Sequence, residues 1–255
     1  SICVPSRASI ITGQYSQTNG IIVLGGQIPP ERQYLPIEMK KAGYQTAMVG
    51  KWHLSAEPAA FDYYCVLPGQ GKYYNPTFHI RGDKPWRRNK ITKDGQHSSD
   101  AVTDISLEWL KNGRDKNKPF FLMHHFKAPH DMFQNAKRYD TYLEDVTIPE
   151  PDNLHHQPAE GFGSKATRPR GAGVTKAHPS WNLGRKLGID SKLSEPEYGK
   201  AVYQKYLKRY LRCVKGVDDN VKRLIDYLKK TGEFENTIIF YCGDQGFFLG
   251  EHDFI

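Results

Sequence analysis

The sequence predicts an α/β fold, an α/β/α sandwich in which helices cover a mostly parallel central sheet, and three observations carry that expectation. Short apolar runs alternate with amphipathic segments along the chain, the rhythm of strands and helices packed in layers. Glycine or proline marks the boundaries: Gly43 and Gly50 bracket one apolar run, and Pro119 opens another. A long amphipathic stretch beginning at Glu195 keeps a period near 3.6 until Gly232.

In chain order, the first helix begins around Cys3. Pro5 suits its first turn because it has no amide hydrogen to leave unsatisfied, and Ala8, Ser9, Ile10 and Ile11 continue it until Gly13. Residues 35–42 read as a helix stopped by Gly43, and 44–49 as a strand ending at Gly50. Ser98 or Ser99 is the expected cap of a helix carrying Val102, Ile105, Trp109 and Leu110. After Pro119, residues 120–126 read as a buried strand. The helix from Glu195 presents Val202, Tyr206, Tyr210, Val214, Val217, Val221, Leu224 and Leu228 on one face. Residues 237–242, β-branched and aromatic, read as a further strand. Between these parts, 153–193 is rich in Gly, Pro, His and Arg, and is expected to be a long surface insertion rather than a separate domain.

Length and composition narrow the function classes. At 255 residues with 38% hydrophobic content the chain has the make-up of a soluble globular protein, with no transmembrane run or repeat. A formal net charge of +8 suits a polyanionic partner, and a sulfated polysaccharide would find that field attractive. The Lys/Arg clusters at 84–93 and 205–212 read individually as solvated surface rather than as a nucleic-acid interface. Cys3, Cys65, Cys213 and Cys242 show neither metal-finger spacing nor disulfide density. The chain starts without methionine inside a motif and ends just after another, so it is expected to be a fragment of a longer protein.

Four short segments carry the chemistry. The first is Cys3-Val4-Pro5-Ser6-Arg7 with Thr12-Gly13. Here Cys3 sits where a helix N-terminus offers free amides and a positive dipole to an anion, and Arg7 adds a permanent charge with a planar donor fork. The second is Gly50-Lys51-Trp52-His53, at the end of a strand, the edge where open α/β sheets hold ligands. Two residues apart on an extended chain, Lys51 and His53 point to the same side. The third, Phe126-Lys127-Ala128-Pro129-His130, follows the strand ending at His125. Alternation puts His124 and His125 on opposite faces, and both read as structural. The fourth, Gly243-Asp244-Gln245-Gly246, places a carboxylate beside an amide oxygen at a strand end, a donor pair suited to a hard cation. Taken singly, each has an ordinary alternative: a buried cysteine, an exposed turn, a bare β-turn.

Together these segments resemble the type I sulfatases, formylglycine-dependent enzymes of the alkaline-phosphatase-like superfamily. The resemblance implies an alkaline-phosphatase-like scaffold and conversion of Cys3 to formylglycine by a maturation enzyme. It implies catalytic roles for Cys3, Arg7, Lys51, His53 and His130. Lys51, His130 and Lys127 would bind the substrate. Asp244, Gln245 and the modified residue 3 would bind Ca²⁺, with Mg²⁺ possible. Two further acidic metal ligands and a second sulfate-binding lysine, which the family takes from stretches upstream and downstream, are not in this sequence, so the isolated fragment is expected to be inactive. Residues 67–76 and 126–130 are similar to segments of carbohydrate sulfatases, including those acting on 6-sulfated N-acetylglucosamine, with Tyr73, Tyr74 and Trp86 as candidate sugar-stacking rings. The family is exported, to periplasm, lysosome or medium. Alternatives are a phosphonate or phosphate ester hydrolase on the same scaffold, and a non-catalytic polyanion-binding protein.

Overall fold

The computed structural model describes residues 2–155, 173–178 and 182–255. Two compact units are present. The first comprises the chain up to Pro129 together with Gly216–Gln245; the second comprises the described residues of His130–Lys215 together with Gly246–Ile255.

The first unit is built on a five-stranded sheet with the order β4-β3-β2-β1-β5: β1 is Gln45–Lys51, β2 Tyr63–Leu67, β3 Thr77–Ile80, β4 Lys90–Thr92 and β5 Phe120–His125. Strand β1 lies parallel to both β2 and β5, while β3 and β4 extend the sheet as an antiparallel hairpin. Both faces of the parallel core are covered, as its apolar runs require. On one face Met48, Tyr64, Val66 and Met123 pack with Val4, Ala8 and Ile11 of helix α1, Cys3–Thr12. On the other, Val49, Cys65, Leu67 and Phe78 meet Ala101, Val102 and Ile105 of helix α4, Ser98–Glu108. Ala47 packs there against Trp109 and Leu110, with Leu224 and Tyr227 alongside. Truncating a buried ring such as Trp109 is expected to cost about 3–5 kcal/mol.

Local sequence explains the element ends. Helix α1 terminates at Gly13, whose φ of 65° is left-handed and whose N–H returns to the Ser9 carbonyl. A four-residue helix α2, Ser16–Asn19, follows, then helix α3, Tyr34–Lys41. The cap of α4 differs from expectation. His97 is the extended N-cap residue and its Nδ1 accepts from the Ser99 amide, while the Ser98 and Ser99 hydroxyls are buried without hydrogen-bond partners among the described residues. An imidazole nitrogen has satisfied the orphan donor that a serine was expected to take. Trp109 and Leu110 continue from α4 in a wider π-type turn, Trp109–Gly113.

The largest departure is at 237–242, expected to be a strand. No strand forms there; Ile238, Ile239, Phe240 and Tyr241 are exposed. β-propensity reports fit to a half-buried pleated surface, and without a neighbouring strand on the backbone it does not by itself produce one.

In the second unit, short helix α5, Asn182–Leu187, buries Leu183 and Leu187. Helix α6, Glu197–Lys230, starts here and runs on into the first unit, its length close to the predicted periodic stretch. Tyr198, Val202, Tyr203, Tyr206 and Leu207 are buried, and the Phe133 ring packs on Tyr206, Tyr210 and Phe247. Of the expected insertion at 153–193, residues 156–172 and 179–181 lie outside the described residues. Within it, Val174, Thr175 and His178 are buried. Among the described residues no helix is long and apolar enough to cross a membrane.

Candidate active site

Cys3 is the first residue of α1 and is buried; the preceding Ile2 is extended and offers no side-chain cap. The first-turn amides of this ten-residue helix therefore have no capping side chain. Arg7 follows four residues later, one turn along the same helix face. It is buried to 9% exposure, and each of its contacts fixes it. Its Nε donates to Asp244 Oδ2 at 2.9 Å; its Nη1 donates to the Lys51 carbonyl and lies 3.0 Å from His125 Nδ1. The structure brings Cys3, Arg7, Lys51 and Asp244 together within the first unit.

Lys51 is the last residue of β1 and only 2% exposed. Its Nζ lies 3.7 Å from Cys3 Sγ. Burial pulls its pKa below the usual lysine value and the Arg7 cation adds to that, while Cys3 and Asp244 act in the opposite sense. Two cations and one carboxylate thus meet beside a sulfur atom in a largely dry place. Such a set favours an added anion, because the second cation lacks a carboxylate of its own.

The backbone that delivers Lys51 is specialised. Gly50 has φ of 100°, and a Cβ there would lie 1.9 Å from the carbonyl oxygen of His125, its partner across the parallel β1–β5 register. Only glycine fits. His53, expected by alternation to share a side with Lys51, has a left-handed φ of 60°, so the period-two argument fails beyond Gly50. Its Nδ1 is buried without a hydrogen-bond partner among the described residues.

The other expected residues are placed as follows. Lys127 is buried with its Nζ 4.6 Å from the centroid of Tyr73. Tyr73 is itself buried and stacks on His97, so that ring serves the core rather than a sugar; Tyr74 and Trp86 are half-buried. His130 belongs to the second unit, where its Nδ1 lies 2.9 Å from the Asp131 carbonyl and 2.5 Å from the Asp131 carboxylate. Both neighbours only accept, so the proton sits on Nδ1. Gln245 is exposed.

The implied Ca²⁺ has a partial donor set here. Asp244 and Gln245 supply one charged and one neutral oxygen, the Asp244 carboxylate is engaged by Arg7, and among the described residues no group of three His, Cys, Asp or Glu side chains is able to hold a metal. A hard cation asking for about six to eight oxygens is not satisfied by this set.

His125 was read as structural, yet it touches Arg7. Alternation showed that His124 and His125 face opposite ways, and nothing in the sequence says which of the two faces the site. His124 faces α4, where its Nδ1 lies 2.8 Å from Ser106 Oγ.

Comparison with known proteins identifies the family. The sulfatase family profile matches residues 1–254. The chain is 38% identical over 288 residues to N-acetylglucosamine-6-O-sulfatase of Bacteroides thetaiotaomicron, covering 97% of this chain and 50% of that protein. It is 27% identical to human N-acetylglucosamine-6-sulfatase, over 98% of this chain and 44% of that one. A solved structure of a protein in complex with its substrate D-glucosamine-2-N,6-O-disulfate matches with a TM-score of 0.84 at 35% identity, over 99% of this chain and 57% of that chain. A phosphonate monoester hydrolase from Silicibacter pomeroyi, 20% identical with a TM-score of 0.59 over 100% of this chain and 55% of that one, shares the fold. The chain spans about half the length of the curated relatives it matches. Its scaffold is the alkaline-phosphatase-like α/β fold, and the chain belongs to the sulfatase family.

Proposed function

We propose that the full protein hydrolyses sulfate esters on carbohydrate, with a 6-O-sulfated glucosamine as the preferred unit. The observation that carries this reading is the placement of Lys51 Nζ 3.7 Å from Cys3 Sγ at the N-terminus of α1, beside an Arg7 anchored on Asp244. The sugar assignment is supported by the names of the relatives, N-acetylglucosamine-6-sulfatases. Residues 1–255 are a fragment of the sulfatase N-terminal catalytic domain, with 153–193 as a long surface insertion.

Formylglycine, made from Cys3 by a maturation enzyme, would supply a hydrated aldehyde as the nucleophile for the sulfate ester. Lys51 binds the sulfate oxygens and offsets the charge that grows on them as the ester S–O bond breaks. An incoming anion raises the pKa that burial has lowered, so sulfate binding secures the ammonium form. Arg7 stays fixed beside residue 3 and favours the ionised form of an oxygen there. His130, with Nδ1–H committed to Asp131, acts as the imidazolium: a second proton, on Nε2, passes to the departing alcohol and leaves the neutral ring. His53 accepts a proton as sulfate leaves, and Lys127 is a weaker contact to substrate. Asp244 and Gln245 would be this chain's share of the ligands of a Ca²⁺ or Mg²⁺ ion.

An exported location fits the reading, and the Drosophila melanogaster relative, 25% identical, carries the name extracellular sulfatase. The deciding experiment uses the full-length protein, co-expressed with a maturation enzyme, on matched panels of 6-O-sulfated glucosamine, aryl sulfate and phosphate diester. The expected result is metal-dependent turnover with kcat/KM for the sulfated sugar at least about tenfold above the diester, equivalent to roughly 1.4 kcal/mol of transition-state preference. Faster diester turnover overturns it for a phosphonate or phosphate ester hydrolase. Salt-sensitive polyanion binding without turnover overturns it for a binding protein.

A further inference from the structure

We propose that His125 is a positioning residue for the sulfatase chemistry: its Nδ1 accepts a hydrogen bond from Arg7 and holds the guanidinium where it serves residue 3. The inference rests on the reading given above and adds to it a residue that none of the four sequence segments singles out.

The tautomer follows from donor inventory. A guanidinium has five N–H donors and no acceptor, so a ring nitrogen 3.0 Å from Arg7 Nη1 must be bare. The Lys51 carbonyl also lies 3.2 Å from the same Nδ1. A bare nitrogen and a carbonyl oxygen do not bond to each other; they share Nη1, which has two hydrogens and gives one to each. The proton of the neutral ring is therefore on Nε2. Burial, with the Arg7 cation second, pushes the His125 pKa down to about 3, which keeps the ring an acceptor throughout the neutral range.

The position is over-determined by the sheet. His125 is the last residue of β5 and pairs with Gly50 in the parallel register. The backbones approach so closely there that any Cβ on Gly50 would collide with the His125 carbonyl. Gly50 is thereby tied to β5 just before Lys51, and His125 completes the link by holding the arginine that also donates to the Lys51 carbonyl. Arg7 has three anchors, on Asp244, Lys51 and His125, and only the last is a side-chain acceptor without charge.

The test uses the full-length matured protein and three forms: the parent, His125→Asn and His125→Leu. Asn places its amide oxygen near the position of Nδ1 and restores an acceptor; Leu keeps the bulk and removes it. The expected result is kcat for the sulfated sugar within about threefold of the parent for Asn, and at least about tenfold lower for Leu, on the scale of one lost charge-assisted hydrogen bond. KM is expected to change less than kcat. A merely structural histidine predicts the reverse order, since an apolar replacement packs in a half-buried strand position better than an amide does, and that order overturns the proposal. Nitrogen NMR of histidine-labelled protein gives a second readout, expected to show His125 as the Nε2–H form with bare Nδ1 from pH 5 to 8. A protonated Nδ1 overturns the proposal. If matured parent protein hydrolyses no sulfate ester, the functional reading falls, and the nitrogen spectrum still decides whether His125 accepts from Arg7.

Discussion

Asp244 and Asp253 are carboxylates of one short stretch of sequence held in opposite ways. Asp244, in the first unit, meets the Arg7 guanidinium at 2.9 Å with its side chain 20% exposed. Asp253, in the second unit, is fully buried and has neutral donors: the Val174 and Thr175 amides and the Thr175 hydroxyl. Burial raises the Asp253 pKa above the usual carboxylate value, and the hydrogen bonds from Thr175 only partly oppose it. The first carboxylate is embedded in an electrostatic cluster beside Cys3; the second ties the segment around Val174 to the end of the chain. The half-buried carboxylate has a cation partner beside the proposed nucleophile, and the fully buried one has amide and hydroxyl partners that serve architecture.

The sharpest way to break that contrast is at the cluster. Lys51→Ala in the matured full-length protein is expected to lower kcat by about 10²–10³-fold, the cost of removing a group that meets charge developing in the transition state. A loss below tenfold would place the site elsewhere. Gly50→Ala comes next: with the new Cβ 1.9 Å from the His125 carbonyl and φ at 100°, roughly 3 kcal/mol or more of stability should be lost in urea unfolding. Asp253→Ala should cost about 3 kcal/mol by leaving buried donors unpaired. Asp244→Ala, by contrast, should affect turnover more than melting temperature.

The pH dependence sharpens the same comparison. A carboxyl whose folded pKa is raised binds its proton more tightly in the native state, so native protein holds more protons than unfolded protein between the two pKa values, and stability falls as pH rises through that window. Parent minus Asp253→Asn stability should therefore decline from the ordinary carboxylate range upward and flatten above the folded pKa. A difference that rises with pH would show the hydrogen bonds outweighing burial. The smallest effect is expected at the exposed Lys41–Glu38 pair, where Glu38→Gln should change stability by less than about 0.5 kcal/mol.

How far the sequence revealed this follows the same division. Helix α1, strands β1 and β5 and helix α6 were legible because pattern and punctuation coincide: Pro5 and Gly13 bracket α1, Gly43 precedes β1, and a sustained 3.6 period with Gly232 beyond it delimits α6. Cys3, Arg7, Lys51 and Asp244 were legible as motif residues. Strands β2, β3 and β4 were not read, being three to five residues long with little alternation to notice. The stretch at 237–242 has the composition of a strand but no partner strand among the described residues, a fact that no local pattern contains. The turn at His53 and the His97 cap were missed because a left-handed φ and an imidazole acceptor are set by tertiary surroundings. His125 was invisible for a related reason: alternation gives two faces and withholds which one carries the arginine.

Residue 3, with Lys51 Nζ 3.7 Å from its sulfur, is the proposed modified nucleophile of a sulfatase. Peptide mass spectrometry of the full-length protein, produced in a host with a formylglycine-generating enzyme, tests it most directly. The account predicts that the peptide containing Cys3 loses its thiol and gains an aldehyde that reacts with hydrazide, while Cys65 and Cys213 stay unmodified. An intact thiol on residue 3 under those conditions would contradict it.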